Sequence, residues 1–220
     1  MRAMILAAGR GERMRPLTDT VPKPLLEING KPLIQYHVES LVRSGVTSMI
    51  INHALFGSQI VRYLGDGGRF GAEIRYSAEG DVPLETGGGI FKAIPLLGSD
   101  PFLVVNADIW TDFPFHTLPS RPKYLAHLVL VQNPPHNPGG DFSLKGEQAG
   151  VDGTPRYTFS GIAVYRPELF ANCKSGAFTL TPLLRKAAAR QQVTGQIYDG
   201  DWQDIGTPER LESLRNRLVV

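Results

Sequence analysis

The stretch that decides the fold is MILAAGRGERMRPLT, residues 4–18. Together with the preceding Ala3, its first part gives a segment from Ala3 to Ala8 with the short apolar composition of a buried β-strand, and the strand pattern breaks at Gly9. Gly9 and Gly11 permit positive φ angles and close approach of the backbone, so several N–H groups can converge on phosphate oxygens. The stretch therefore predicts a strand that leads into an anion-binding loop.

Basic side chains accompany the two glycines. Arg13 lies in the same loop, and Lys23 follows in the run Pro22-Lys23-Pro24-Leu25. A Gly-x-Gly sequence alone is a weak signal, and a surface loop with solvated arginines is its competing interpretation. Met14 occupies the place of the third glycine of a dinucleotide-binding loop, and the chain has no Gly-Lys-Ser/Thr sequence. Neither a dinucleotide site nor a P-loop is therefore favoured.

From this strand outward, apolar segments of strand length alternate with segments of helical periodicity, as is typical of an α/β fold. The first half predicts a β-α-β-α-β order, then a helix from Gly87 to Leu97 and a strand from Phe102 to Val105. In the less regular second half, Ala126 to Val131 is predicted as a strand, Asn133 to Gly153 as loop-rich and Pro208 to Leu218 as a closing helix. We therefore expect one domain, residues 1–220, with a Rossmann-like α/β/α sandwich and a mixed, mostly parallel central sheet.

Composition narrows the class of protein. The chain has 220 residues, with 23 basic and 21 acidic side chains scattered along it, which predicts no nucleic-acid and no membrane partner. Its lone cysteine, Cys173, cannot form an internal disulfide, which fits a cytoplasmic location. The apolar stretch near Met1 is too short for a signal peptide or a membrane span, so we expect the domain to begin there. The sequence gives no indication of the oligomeric state.

An aspartate follows the strand that ends near Val105. Asp108 comes after Asn106 and Ala107 at the carboxyl end of this apolar strand. Ligands of α/β proteins collect at the carboxyl ends of the strands, so a carboxylate there is a candidate metal ligand. A cap on the strand end is the competing interpretation, and Asp108 alone does not separate the two.

Three blocks occur in order near the N-terminus: Leu-Ala-Ala-Gly-x-Gly-x-Arg-hydrophobic, then Pro-Leu-Thr, then Pro-Lys-Pro. A late block, WQDIGTP, spans residues 202–208. In these blocks the chain resembles the nucleotide-sugar pyrophosphorylase family, and the resemblance covers nearly all of it. The resemblance implies a GT-A-like nucleotidyltransferase fold with a nucleotide-binding half (residues 1–110) and a half with the sugar site and second metal ligand (residues 111–220). It also implies that a sugar 1-phosphate and a nucleoside triphosphate form a nucleotide sugar and pyrophosphate.

The same resemblance implies roles for particular residues. Arg13 would stabilise charge on the α-phosphate and the departing pyrophosphate, Lys23 would hold phosphate oxygens, and Asp108 and Asp204 would bind Mg²⁺ with the triphosphate. The implied nucleotide-binding residues are Ala8, Gly9, Gly11, Glu12, Arg13, Lys23, Glu85, Thr86 and Gly87. The implied sugar-phosphate residues, each of which could equally be a turn residue, are Asn106, Asp141, Ser160 and Gly161.

Two departures from the family pattern concern the substrates. Glu85 replaces the glycine of the family's Leu-Gly-Thr-Ala-Gly block, so a side chain is expected in the base pocket, unless this glycine-rich segment is only a turn. The family's Glu-Lys-Pro, whose lysine holds the sugar phosphate, has no counterpart between Leu144 and Tyr157. Lys145, Arg156 or another cation would have to replace that lysine.

The chain has no Ser-His-Asp or Cys-His pattern typical of nucleophilic catalysis, and its five histidines have no metal spacing; His37 lies on an apolar helix face. Phosphoryl-type transfer does not require either, because alignment and cation stabilisation supply most of the catalysis. Residues 85–89, 140–142 and 157–161 resemble the segments of family members that use UTP and N-acetylmuramic acid α-1-phosphate, which implies these substrates and a place in cell-wall recycling. Alternatives are mannose 1-phosphate with GTP, glucose 1-phosphate with UTP or dTTP, and a non-catalytic module that binds nucleotide sugars.

Overall fold

The computed structural model describes residues 1–80 and 82–218. Its strands, in chain order, are β1 (Arg2–Leu6), β2 (Glu27–Ile28), β3 (Lys31–Pro32), β4 (Ser48–His53), β5 (Glu73–Ala78), β6 (Phe102–Asn106), β7 (Ile109–Thr111), β8 (Ala126–Val131), β9 (Phe142–Lys145), β10 (Gln148–Gly150), β11 (Arg156–Tyr165), β12 (Val193–Ile197) and β13 (Trp202–Asp204). The α-helices are α1 (Leu33–Arg43), α2 (Gly57–Leu64), α3 (Glu85–Leu97), α4 (Thr181–Ala189) and α5 (Pro208–Leu218).

The central sheet has the strand order β5-β4-β1-β6-β11-β8-β12-β10-β9, and β9 also pairs with β11. Seven of these nine strands run in one direction, while β10 and β11 run in the other. The expected mixed, mostly parallel sheet is confirmed. Because β5, β4, β1 and β6 are mutually parallel, their carboxyl ends meet at one edge, where a ligand site is expected.

Helices cover both faces of the sheet. On one face, α1 and α2 bury Ile34, Val38 and Ile60 against the strands, and on the other α3 and α4 bury Ile90 and Leu184. The expected α/β/α sandwich is therefore present. A smaller third cluster joins α5 to the N-terminal loop, with members Met14, Leu26, Ile28, Leu33, Ile205, Leu211 and Leu214. This third cluster fixes the N-terminal loop against the chain segment that follows β13.

The strand pattern of the sequence located most elements, and β8 and α5 have the predicted bounds. Residues 133–153, predicted as loop-rich, also contain two short strands that were not predicted: β9 and β10 form a hairpin there around Gly146, with φ 58°. These strands have four and three residues, too few for a period-2 pattern to be recognised. Within the described residues, no helix combines the length and hydropathy needed to cross a lipid bilayer.

Candidate active site

A cleft of about 840 Å³ opens at the carboxyl ends of β1, β4, β5 and β6. Its size is that of a small-molecule site. The loop after β1 forms one side, and the start of α3 forms another. The residues that line the cleft are Leu6, Ala7, Ala8, Gly9, Arg10, Gly11, Glu12, Arg13, Met14, Lys23, Pro24, Asn52, Glu79, Val82, Pro83, Glu85, Thr86, Asn106, Ala107, Asp108, Ala177 and Gly206.

The loop after β1 is folded around Gly11. This residue has φ 66°, and its carbonyl accepts hydrogen bonds from the Met14 N–H and the Thr18 hydroxyl, both at 2.8 Å. A Cβ at Gly11 would lie 3.0 Å from Thr18 Cγ2, so the position has little room for a side chain. Met14 is fully buried, which anchors the loop, while Arg13 is exposed at the cleft. The predicted anion loop therefore has a defined shape, with a cation at its open side.

Lys23 and Asp108 form an ion pair at the floor of the cleft. The Lys23 Nζ atom donates to Asp108 Oδ2 at 2.9 Å, and the Lys23 side chain is only 8% exposed. Asp108 is 39% exposed, so its carboxylate remains accessible from the cleft. The pair joins residues 85 positions apart in the chain. The structure thus places these two predicted catalytic residues in direct contact.

Asp204 reaches the same region through a two-stranded ladder. Strand β13 is antiparallel to β7 with Asp204 opposite Ile109, and the Ile205 N–H donates to the Asp108 carbonyl at 2.9 Å. The two predicted metal ligands are remote in sequence, but Asp108 directly precedes β7 and Asp204 ends the adjacent strand β13. Among residues 1–80 and 82–218, no group of three or more His, Cys, Asp and Glu side chains is arranged to hold a metal ion. Two carboxylates suit Mg²⁺ when substrate phosphates complete its coordination.

The Asp204 carboxylate is flanked by two basic side chains. Its Oδ2 atom accepts from Arg210 Nη1 at 2.6 Å and lies 3.3 Å from His136 Nε2. Together with Trp202, these residues line a second cavity of about 690 Å³, between the loop after β8 and the segment before α5. Neither Arg210 nor His136 was predicted as a site residue, because nothing local to either marks it as close to Asp204.

His37 supports the ladder from below. It is 2% exposed, and its Nε2 atom lies 2.8 Å from the Ile109 carbonyl, next to Asp108 in the chain. Burial lowers the pKa of His37 from 6.5 to about 4, so the neutral imidazole, with its proton on Nε2, donates to this carbonyl at neutral pH. His37, for which a structural role was predicted, therefore holds β7 in place through this hydrogen bond.

A buried polar network on the opposite side of the cleft was missed by the sequence analysis. Glu79, which is 8% exposed, accepts from Asn52 Nδ2 and from the Leu84 N–H, both at 2.6 Å. The Asn52 side-chain carbonyl accepts in turn from the Ala7 N–H at 2.9 Å. A Cβ at Gly89 would lie 2.4 Å from Glu79 Oε1, so glycine is needed there. The sequence feature that could have indicated this network is the polar residue at the carboxyl end of each strand, Asn52 in β4 and Glu79 after β5, the same feature that indicated Asp108.

Of the three residues expected in the base pocket at the start of α3, two line the cleft and one does not. Glu85 and Thr86 line the cleft and are exposed, and Glu85 has φ 60°, a conformation that favours glycine. Gly87 does not line the cleft; its N–H donates to the Phe178 carbonyl at 2.9 Å, and a Cβ there would lie 2.4 Å from the Phe178 ring. Gly87 therefore serves the packing of α3, while Glu85 and Thr86 face the cleft.

Of the four residues expected to bind the sugar phosphate, only Asn106 lines the cleft. It packs on Gly161, whose φ is 83° and whose Cβ would lie 2.7 Å from Asn106 Nδ2. Ser160 is 1% exposed and donates to the Val129 carbonyl at 2.8 Å, and Asp141 accepts from the Phe159 N–H at 2.8 Å. Asp141, Ser160 and Gly161 line neither cavity. Their contacts shape β11, so a contact with sugar stays a prediction for them.

The two named replacements for the missing lysine do not line either cavity. Lys145 is exposed on β9. The Arg156 guanidinium donates to the carbonyls of Val151, Gly140 and Asp141 at 3.2, 3.3 and 2.8 Å. Arg156 therefore holds the loop between β8 and β9 in place.

Comparison with known proteins gives a consistent result. A family model described as "Nucleotidyl transferase" matches residues 2–142. An N-acetylmuramate alpha-1-phosphate uridylyltransferase from Neisseria meningitidis is 52% identical, with 98% of this chain and 97% of the relative covered. A protein of the same name from Caulobacter vibrioides is 31% identical, with 99% and 96% covered. A solved putative glucose-1-phosphate thymidylyltransferase from Bacillus anthracis has a TM-score of 0.85 at 22% identity, over 99% of this chain and 94% of that one, and shows the same fold.

Proposed function

The chain belongs to the nucleotidyl transferase family, and from that premise we propose that it transfers a uridylyl group from UTP to N-acetylmuramic acid α-1-phosphate. The products are UDP-N-acetylmuramic acid and pyrophosphate. The observation that carries the proposal is that the Lys23–Asp108 ion pair lines the cleft while the β7–β13 ladder brings the segment that bears Asp204 into contact with the Asp108 backbone.

In this reaction, an oxygen of the sugar phosphate attacks the α-phosphorus of UTP. A new P–O bond forms, the bond from the α-phosphorus to the oxygen bridging to the β-phosphate breaks, and pyrophosphate leaves with that electron pair. The second pKa of a phosphate monoester is about 6, so the nucleophile is mostly ionised at neutral pH without a general base. The protein has to align the two substrates and stabilise the charge of the leaving group.

The cleft provides those functions for UTP. The loop around Gly11 offers backbone N–H groups and the exposed Arg13 guanidinium to the phosphates, and Lys23 lies at the floor beside Asp108. Cations held in place before the reaction stabilise developing charge without reorganisation. Glu85 and Thr86 lie where the base and ribose would contact the start of α3, and the Glu85 carboxylate can accept from a base N–H or a ribose hydroxyl.

We assign Mg²⁺ to Asp108 and Asp204. Carboxylate oxygens are its preferred protein ligands, and Asp108 is accessible from the cleft while Asp204 is 21% exposed. When bound, the ion neutralises and polarises phosphate oxygens. In the absence of bound substrate, Lys23 compensates the charge of Asp108, and Arg210 compensates that of Asp204.

The choice of substrates is supported by 52% identity over nearly the whole length of the Neisseria meningitidis relative. The segment Glu85-Thr86-Gly87-Gly88-Gly89, with its departure from the usual glycine at the first position, also supports it. We propose a cytoplasmic location because the lone Cys173 shows no use of disulfides and because UTP is a cytoplasmic metabolite.

A matrix of substrates tests the proposal. Pyrophosphate release is measured with Mg²⁺ for N-acetylmuramic acid, N-acetylglucosamine, glucose and mannose 1-phosphates, each against UTP, dTTP, GTP, CTP and ATP. We expect the highest kcat/KM for UTP with N-acetylmuramic acid α-1-phosphate, and no turnover when Mg²⁺ is chelated. A higher kcat/KM for another pair would show that this pair, rather than the proposed one, is the pair of substrates. No turnover with any pair would refute nucleotidyl transfer and favour a binding module.

A further inference from the structure

The second cavity lies next to the reacting end of the cleft. It is lined by the loop after β8, by Trp202 and Gln203 on β13, and by Asp204 and Arg210. Gly206, two residues after Asp204, lines the first cleft. A Cβ at Gly206 would lie 2.8 Å from Arg210 Nη1 and 3.1 Å from Asp204 Oδ2. The Arg210–Asp204 pair therefore stands at the boundary between the two cavities.

Two sets of basic side chains are arranged around the two aspartates. On the side of the first cleft, Lys23 contacts Asp108. On the side of the second cavity, Arg210 contacts Asp204 at 2.6 Å, and His136 lies 3.3 Å from the same oxygen. The reaction joins two phosphate-bearing substrates, and each needs a cation near the reacting atoms. The first set serves the triphosphate in the proposed function, which leaves the second set for the other phosphate.

Arg210 has the chemistry for that task. Its side chain is 25% exposed, and among the described residues its guanidinium makes one hydrogen bond, from Nη1. The remaining donors of its planar fork can bind phosphate oxygens in a bidentate manner. Its backbone is held by Gln203 Nε2, which donates to the Arg210 carbonyl at 2.8 Å, and its guanidinium is oriented by the contact with Asp204. Arg210 is thus an oriented cation in the first turn of α5.

The lining of the second cavity suits a sugar. Trp202 presents an aromatic surface, and its Nε1 atom donates to the Ser160 carbonyl at 2.9 Å, which fixes the ring. Gln132 adds an exposed side-chain carbonyl that accepts no hydrogen bond among the described residues and can accept one from a sugar hydroxyl. The volume of about 690 Å³ is ample for one monosaccharide. Ser160, which was expected to contact the sugar, does not line the cavity; its backbone carbonyl holds the Trp202 ring that does.

We propose that Arg210 binds the phosphate of the sugar 1-phosphate, in place of the family's Glu-Lys-Pro lysine, and that the sugar occupies the second cavity. This inference rests on the proposed function and adds the residue that receives the second substrate. Lys145 and Arg156 are excluded from this role by their positions outside both cavities.

The test compares Arg210→Gln and Arg210→Lys with Lys145→Gln, which removes an exposed cation from outside both cavities. Steady-state constants are measured for UTP, for N-acetylmuramic acid 1-phosphate and for N-acetylglucosamine 1-phosphate, whose sugar lacks the lactyl carboxylate. In Arg210→Gln we expect the KM of both sugar phosphates to rise at least tenfold by similar factors, with the KM of UTP within twofold of wild type. Arg210→Lys should recover part of the loss, and Lys145→Gln should equal wild type.

Other outcomes would overturn the inference. A fall in kcat with all KM values unchanged would mean that Arg210 only positions Asp204. A rise in KM confined to N-acetylmuramic acid 1-phosphate would mean that Arg210 binds the lactyl carboxylate, and a rise in Lys145→Gln would assign the phosphate to that lysine. Thermal unfolding of each variant verifies folding, and Arg210→Lys keeps the test decisive if Arg210→Gln is unstable. Absence of wild-type turnover would instead refute the proposed function.

Discussion

The two sides of the Asp108–Asp204 region are built in different ways. The side proposed to bind the nucleotide, the nucleotide side, consists of the loop after β1, residues 7–14, together with Lys23 and the start of α3. The side proposed to bind the sugar, the sugar side, consists of the loop after β8, the segment from Tyr198 to Asp204, and Arg210. The first is mostly one continuous stretch that follows a buried strand. The second is assembled from three segments that tertiary pairing brings together.

This difference shows which part of the site takes its geometry from neighbouring residues and which part depends on tertiary pairing. On the nucleotide side, glycine conformations and a buried hydrogen-bond network fix the backbone, so the motif carries its own geometry. On the sugar side, the β7–β13 ladder, held by His37 through the Ile109 carbonyl, places Asp204 and thereby Arg210. Substitutions on the two sides should therefore affect different substrates and different measurable quantities.

The largest effect is expected at the two aspartates. Asp108→Asn and Asp204→Asn each remove a charge that serves the metal, and each should lower kcat by about 100-fold or more. The folded state should persist, because the side chains are partly exposed and the amide is isosteric. Pyrophosphate release at saturating substrates measures the effect, and a Mg²⁺ titration should show weaker metal dependence. A near-normal rate in either variant would remove that residue from the metal site.

The stability that His37 contributes by holding β7 should decrease at acidic pH. The pKa of His37 is lowered from 6.5 to about 4 by burial, so below pH 6.5 the unfolded chain binds a proton that the folded chain does not. The contribution of His37 to stability is therefore complete above pH 6.5 and falls as the pH decreases towards 4. Relative to His37→Gln, which does not titrate, the wild type should lose about 2 kcal/mol between pH 7 and pH 5. Urea unfolding at the two pH values measures this difference; equal losses in both proteins would contradict it.

A glycine in β11, behind the cleft residue Asn106, should be sensitive to an added side chain. Gly161→Ala would place a Cβ at φ 83° and 2.7 Å from Asn106 Nδ2, and it should lower stability by about 2 kcal/mol. The matched control is Gly139→Ala, since no atom lies within 4 Å of a Cβ there and its φ is not positive. Denaturant unfolding of both variants measures the contrast. If the two lose the same stability, the Asn106 contact does not define this bend of β11.

The nucleotide side should respond through its buried network. Glu79→Gln replaces one acceptor oxygen by an amide donor that must face either Asn52 Nδ2 or the Leu84 N–H, so stability should fall by about 1–2 kcal/mol. The KM of UTP should rise, while the KM of the sugar phosphate should change little. Glu73→Gln on the exposed end of β5 is the control. An increase confined to the sugar-phosphate KM would contradict the separation of the two sides.

The smallest effect is expected at Glu85. Its φ of 60° favours glycine, so Glu85→Gly should raise stability by up to about 1 kcal/mol, whereas Glu85→Ala should bring no such relief. Thermal unfolding compares the two variants. If Glu85 contacts the base or ribose as proposed, both variants should raise the KM of UTP; an unchanged KM in both would place the side chain outside the base pocket.

Most of the fold and the nucleotide side could be predicted from the sequence. Apolar strands and amphipathic helices have periods that adjacent residues reveal, which is why β1, α1, β8 and α5 were located from their patterns. The hairpin β9–β10 and the ladder β7–β13 could not be located in this way. Their strands have three or four residues, and their partners were not evident from the local pattern.

By itself, the sequence determined the α/β class, the glycine loop around Gly11 and the residue types that are proposed to bind a phosphate and a metal. These properties reside in neighbouring residues, whose conformations and charges do not depend on distant partners. Only the tertiary structure decided that Lys23 pairs with Asp108, that Asp204 reaches the same region through β7, and that Arg210 stands at the second cavity. Such contacts join residues far apart in the chain, and they arise when the sheet and its helices bury their apolar faces together.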